Sequence, residues 1–285
     1  MIRETVVSAE FNIGRIPIMF ITRLISGIVL VALALLFICT GGDLLLGVML
    51  VLSLIGMFEL YRIFKVEKSL PGFLGYLACI AFYLDLRFKF CQDNQVIFLT
   101  FLILLLAVFV FGYPKYHSNQ VMATFFGLFY VGVMLSFLYQ TRMLPNGQFI
   151  VWLIFLCSWG CDTSAYCVGV LFGKHKMSPL LSPKKSVEGA IGGVVGSMLL
   201  TALYCFIISK AFQIDNFAIL TLVVISGVGA LISMVGDLAA SAIKRNFEIK
   251  DYGKLIPGHV GVLDRFDSII ITAPIIFFLA YYFYK

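Results

Sequence analysis

The chain has 285 residues, of which 61% are hydrophobic and 13% charged, and its mean hydropathy is +1.02; a soluble domain is nearer half apolar and a quarter charged. A soluble fold of this size could not bury so much apolar surface and would aggregate, so lipid has to be the solvent. The net charge of +6, from 21 Lys+Arg against 15 Asp+Glu, fits basic loops at a membrane surface; it favours an anionic substrate weakly and gives no ground for nucleic acid as a partner.

A transmembrane helix needs about 20 apolar residues, because the hydrocarbon core is about 30 Å thick. That ruler predicts about nine spans, with approximate limits 18–39, 43–63, 71–86, 95–112, 119–139, 149–172, 188–209, 217–243 and 266–284. The first run, Ile18 to Cys39, exceeds a signal-peptide core and continues into further spans, so it reads as a first transmembrane helix. The second begins close behind it and carries Glu59 near its end, which reads as interfacial. The third is the shortest. All the runs are continuous and lack alternation of period two, so the expected fold is all-α, a polytopic helical bundle rather than a barrel. With a cytoplasmic N-terminus, sixteen of the 21 basic residues fall on inside segments and five (Arg87, Lys89, Arg142, Lys210 and Lys285) on outside ones. The positive-inside rule supports that orientation, with the C-terminus outside, in a cell inner or plasma membrane.

Seven cysteines (Cys39, Cys79, Cys91, Cys157, Cys161, Cys167 and Cys205) fall mostly in apolar runs, without a Cys-x-x-Cys pair or zinc-ligand spacing to a His. They read as small packing residues. Tyr166 and the many Phe residues read as packing or interfacial, and His117 and His175 carry no motif of their own. Residues 1–150, dominated by Leu, Ile, Val and Phe, read as a scaffold with oligomer contacts; acidic and glycine-rich positions concentrate in 151–285, the expected catalytic region.

In that second region Asp162 interrupts an apolar run and is a candidate for lining a polar cavity. Ser182 with Pro183 suits a helix start, the hydroxyl capping and the proline at the first helical position, and Lys184 and Lys185 follow at the membrane surface. These lysines are read either as topology-setting snorkels or as ligands of substrate phosphate. Glu188, Gly192 and Gly196 share a helix face, which predicts close helix packing beside a polar group. Further on, Asp237, Ser241, Lys244 and Arg245 lie at i, i+4, i+7 and i+8 on one face. Asp237 is about 12 Å along the axis from Arg245 at about 1.5 Å per residue. At that depth it either pairs with a basic neighbour to tie helices together or binds a cation or substrate. Pro257, Gly258 and Gly261 then break the helix into a tight turn, and Asp264 and Asp267 open the last span at i, i+3, where one of them could also cap it. Two separated carboxylates, Asp237 and Asp264, beside a basic loop suit a Mg²⁺-nucleotide site. Mg²⁺ is usually held by one or two carboxylates plus substrate phosphates.

Ser241-x-x-Lys-Arg, Lys250-Asp251-x-Gly, Ile256-Pro-Gly-His259, Gly261 and Asp264-Arg265-Phe-Asp267 together closely resemble the signature of the phosphatidate cytidylyltransferase (CDP-diacylglycerol synthase) family. Asp162-Thr-Ser-Ala-Tyr166, Gly169, Gly173-Lys-His-Lys176 and Ser182-Pro-Lys-Lys-Ser-Val-Glu-Gly189 resemble the same family upstream. Three positions depart from it: Val260 stands where the family usually has Gly, and Ser186 and Val187 replace its commoner Thr and Trp. The resemblance implies the reaction CTP + phosphatidate → CDP-diacylglycerol + diphosphate, by a homodimer. On that reading Asp237 and Asp264 are expected to hold Mg²⁺, with Asp267 and Asp162 supporting them or binding a second cation. Lys244, Arg245 and Lys250 would clamp the triphosphate, and Lys184 and Lys185 would receive phosphatidate. Ser182, Ser241, Asp251, His259 and Arg265 complete the expected substrate-binding set. The alternatives are a CTP-dependent polyprenol or phytol phosphate kinase-type enzyme and, from a different class, a small-molecule transporter, which would instead show inverted repeats and central polar sites.

Overall fold

The computed structural model describes residues 29, 31–212, 215–253 and 261–284 of the chain. The helices are α1 (Val31–Thr40), α2 (Gly42–Ile63), α3 (Leu70–Phe88), α4 (Gln95–Phe111), α5 (Ser118–Arg142), α6 (Gly147–Phe172), α7 (Val187–Phe212), α8 (Asn216–Asn246) and α9 (Leu263–Phe283). Each predicted span is helical where it is described. Among the described residues seven helices are long and apolar enough to cross a membrane; the described part of α1, and α4, are shorter. Most of the first predicted span lies outside the described residues. The third runs longer than its apolar core, from Leu70 to Phe88, because the Ser69 hydroxyl accepts from Gly72 N at 3.3 Å and Pro71 fits the first turn.

The helices form a bundle in which apolar side chains face both lipid and core, so buried polar groups must find partners inside the protein. Tyr61 donates to Thr124 O at 2.7 Å, and Ser53 and Tyr83 share a hydrogen bond of 2.7 Å. Ser197, Thr201 and Ser226 bridge α7 and α8 through hydroxyl contacts of 2.9 and 2.8 Å. The glycine face of α7 packs closely on α6, as expected. A Cβ at Gly192 would stand 2.5 Å from Val168, and one at Gly196 would collide with Ser164. The buried Cys79, Cys157, Cys161 and Cys205 behave as packing residues, and all seven thiols are free.

Two expectations are corrected. Ser182 and Pro183 do not start a helix: Ser182–Ser186 is strand β2, paired antiparallel with β1 (Lys176–Ser178) in the register Lys176↔Ser186 and Ser178↔Ser182. The cap lies four residues later, where Ser186 Oγ accepts from Gly189 N at 3.1 Å and α7 begins at Val187. A proline is tolerated in β2 because a two-stranded ribbon has only edge strands. Glu188 anchors the ribbon by accepting from Lys174 N at 3.1 Å and from the backbone N–H of His175. Glu59, in turn, is not interfacial. It is 3% exposed, inside the bundle.

At one end of the bundle Asp43 pairs with Arg87, and Arg142 donates to Ile38 O at 2.9 Å. The opposite end gathers the close of α2, the ribbon, the close of α8 and the start of α9, with the Phe64 and Phe247 rings edge to face at 4.8 Å.

Candidate active site

The chemistry-bearing residues collect just inside that second end. Asp237, nine residues before the close of α8, is paired with Lys185 Nζ from strand β2. Asp264, one residue into α9, engages three groups. Its Oδ1 accepts from Lys244 Nζ at 2.8 Å, and its Oδ2 accepts from Tyr252 N at 2.7 Å and Gly261 N at 3.2 Å. Asp264 therefore gathers the chain around the start of α9 as well as carrying a charge.

Asp267, one turn further along α9, is buried, and its Oδ1 accepts from Ser268 N at 2.8 Å. The Ser268 hydroxyl lies 3.3 Å from the same oxygen and donates to Asp162 Oδ2 at 3.5 Å, so it bridges α9 and α6. Asp162 and Asp267 are both within Coulomb reach of Asp237. Three carboxylates from three helices thus crowd together, with Lys185 the cation that touches Asp237. Like charges held this close favour a polyvalent cation or a basic partner between them.

Two cavities meet at this cluster. The first, about 460 Å³, has a polar end at Asp162, Asp264, Arg265, Asp267 and Ser268 and an apolar wall that includes Leu45, Met49, Phe155 and Trp159. The second, about 510 Å³, is basic, with Lys176, Lys184 and Lys185 facing Asp162, Tyr166 and Asp237. Asp162 belongs to both. Ser182, Ser241, Arg245, Lys250 and Asp251 line neither of these two cavities; Arg245 and Lys250 are exposed beside the site and Ser241 and Asp251 half-buried. His259, with Pro257 and Gly258, lies outside the described residues.

Several participants carried no signal in the sequence. Tyr252 donates its hydroxyl to Ala240 O at 3.0 Å, its ring stands 5.4 Å from Lys244 Nζ, and its carbonyl accepts from Arg62 Nη2 at 2.5 Å. Burial first, then the neighbouring Tyr130, Asp264 and Asp267, hold the Tyr252 phenol above its ordinary pKa, so it stays a donor. Tyr130 sits in a π-helical stretch of α5, Leu128–Val133, and its buried hydroxyl finds no hydrogen-bond partner among the described residues although Asp237 and Asp267 are near. A second π-helical stretch, Leu156–Gly160, ends two residues before Asp162. Such bulges shift the helix register and recur at functional sites, but they have no signature in residue spacing.

Among the described residues no three His, Cys, Asp or Glu side chains are gathered tightly enough to ligate one ion alone. The donors nonetheless suit Mg²⁺, since they are carboxylate and hydroxyl oxygens of the kind hard cations take. One or two carboxylates are enough for that ion when substrate phosphates complete its shell.

The cytidylyltransferase family model matches residues 21–283. The phosphatidate cytidylyltransferase of Bacillus subtilis (strain 168) is 30% identical over 264 residues, covering 90% of this chain and 96% of the relative. That of Staphylococcus epidermidis (strain ATCC 12228) is 32% identical over 259 residues, covering 89% and 96%. The Staphylococcus saprophyticus enzyme of the same name is 30% identical over 264 residues, with 89% and 96% covered.

Proposed function

The chain belongs to the cytidylyltransferase family, and on that footing we propose that it joins CTP to phosphatidate, forming CDP-diacylglycerol and releasing diphosphate at the cytoplasmic face of a membrane. It is a multi-pass membrane nucleotidyltransferase. The observation that carries the finer reading is the meeting of an amphipathic cavity and a basic cavity at one carboxylate cluster. A lipid has an apolar wall for its acyl chains in the first and lysines for its phosphate in the second, and a triphosphate has Lys244, Arg245 and Lys250 beside the cluster.

In the reaction a phosphate oxygen of phosphatidate attacks the α-phosphorus of CTP, and the bond from that phosphorus to the bridging oxygen of the diphosphate breaks. The nucleophile is an anion already, so no dedicated base is required. Two polyanions must be held together, and the residues serve by positioning and neutralising them. Lys185, beside Asp237 and near Asp162, stands where the lipid phosphate has to arrive, with Lys184 next to it in the same cavity. Lys244, Arg245 and Lys250 are assigned to the triphosphate; Lys244 reaches the site through Asp264. Asp237 and Asp264 are the assigned Mg²⁺ ligands, with Asp162 and Asp267 as further oxygen donors. What the ion supplies when bound is polarisation of the α-phosphate and compensation of the leaving charge. The cytoplasmic placement is supported by the excess of basic residues on segments that share one end of the bundle. The homodimer implied by the family resemblance belongs to the same reading.

Purified protein incubated with phosphatidate and CTP labelled on the α-phosphate or the γ-phosphate tests it. Label from the α position in the lipid product, with γ label released as diphosphate, is the expected outcome. Transfer of the γ label to lipid would mean a kinase, and no transfer of either would remove the enzymatic reading.

A further inference from the structure

We propose that Glu59, contributed by the N-terminal half, is a positioning residue for cytidylyl transfer that locks the acidic start of α9 in place; the inference rests on the function proposed above. The chain offers no local reason for a carboxylate one turn from the end of α2. Yet Glu59 is buried, and it reaches across more than two hundred residues of sequence. Its Oε1 accepts from Val262 N at 3.1 Å and its Oε2 from Leu263 N at 2.9 Å. These are N–H groups at the start of a helix, which have no partner within it and point a positive dipole end at the carboxylate.

One turn further along α2, Arg62 holds the chain that follows α8 by donating to Tyr252 O. Tyr252 N and Gly261 N in turn bind Asp264. Glu59 and Arg62, three residues apart on one helix face, thus grip the chain after and before residues 254–260. The two flanks of that segment meet: a Cβ on Gly253 would stand 3.1 Å from Gly261 Cα and run into the Glu59 carboxylate. Gly253 and Gly261, two glycines of the recognisable signature, are therefore places where the Glu59 carboxylate leaves no room for a side chain. The consequence lies at Asp264 and Asp267. Their distance from Asp237 is set by where α9 begins, and Glu59 sets where it begins.

Glu59→Gln keeps the volume but replaces one acceptor with an amide donor facing an N–H group. A misplacement of about 1 Å can cost about 100-fold, so kcat is expected to fall about 10- to 100-fold, with the apparent KM for phosphatidate nearly unchanged. Full-length protein in native membranes is the material, with the wild type assayed in parallel. An inactive wild type would overturn the cytidylyl-transfer reading and this inference with it. An active wild type with Glu59→Gln at full kcat, or with only KM changed, would overturn this inference alone. If Glu59→Gln is not recovered from membranes, Gly253→Ala and the double variant Gly253→Ala/Glu59→Asp decide. Coupled contact residues are non-additive, so the shortened carboxylate should restore turnover by about threefold or more over Gly253→Ala. A double variant no better than Gly253→Ala would reject the inference.

Discussion

The two ends of the bundle carry ion pairs of the same chemical kind in different surroundings. At one end Arg87 and Asp43 meet with their side chains 46% and 69% exposed, and the pair stitches α2 to α3. At the other, Lys244 and Asp264 are 17% and 3% exposed, and Asp264 also takes two backbone N–H groups. Exposed pairs contribute little because solvent screens them and long side chains lose freedom in making them. Buried carboxylates keep their full influence on anything that enters. An ion pair does not mark a site; burial and unbalanced like charge do, as where Asp162, Asp237 and Asp267 crowd together.

Substitutions that treat the two ends alike should therefore give very different results. Asp237→Asn and Asp264→Asn are expected to reduce CTP-dependent turnover by about 100-fold or more, the scale of losing a principal electrostatic group, while the protein remains inserted. Near-normal turnover in both, measured on membranes with matched protein content, would remove the metal assignment. Lys185→Met leaves Asp237 beside two other carboxylates without its cation; turnover should drop by about 10- to 100-fold, read as kcat in a detergent assay. Lys184→Ala is a smaller change, because that side chain is exposed and touches no carboxylate named above. It should raise the apparent KM for phosphatidate by about threefold to tenfold and leave kcat alone. An unchanged KM would return this lysine to a topological role. Asp43→Asn, at the far end, should leave turnover unchanged; a large loss there would mean the two ends are coupled and would break the contrast.

Much of the layout was readable from residue order. Hydropathy placed the spans because a backbone in lipid must satisfy its own hydrogen bonds, so each crossing segment announces itself by apolar length. The acidic positions stood out for a related reason: a carboxylate within an apolar run has to have a partner or a polar cavity. The spacing of Glu188, Gly192 and Gly196 likewise predicts close packing on that face of α7, and the structure supplies α6 as the partner. Ser182-Pro183 reads as a helix start but lies in strand β2, because Ser-Pro is compatible with both. What chose the strand was pairing with a partner several residues upstream.

Local chemistry thus accounts for the membrane class, the helical spans and the motif that names the family, since each depends on residues a few positions apart. Glu59 against Val262 and Leu263, Arg62 against Tyr252, Ser268 between two aspartates, and the meeting of the two cavities belong to folding in three dimensions. Such contacts join stretches remote along the chain. Which groups become neighbours follows from how whole helices pack, and no period or motif in the string of residues encodes that.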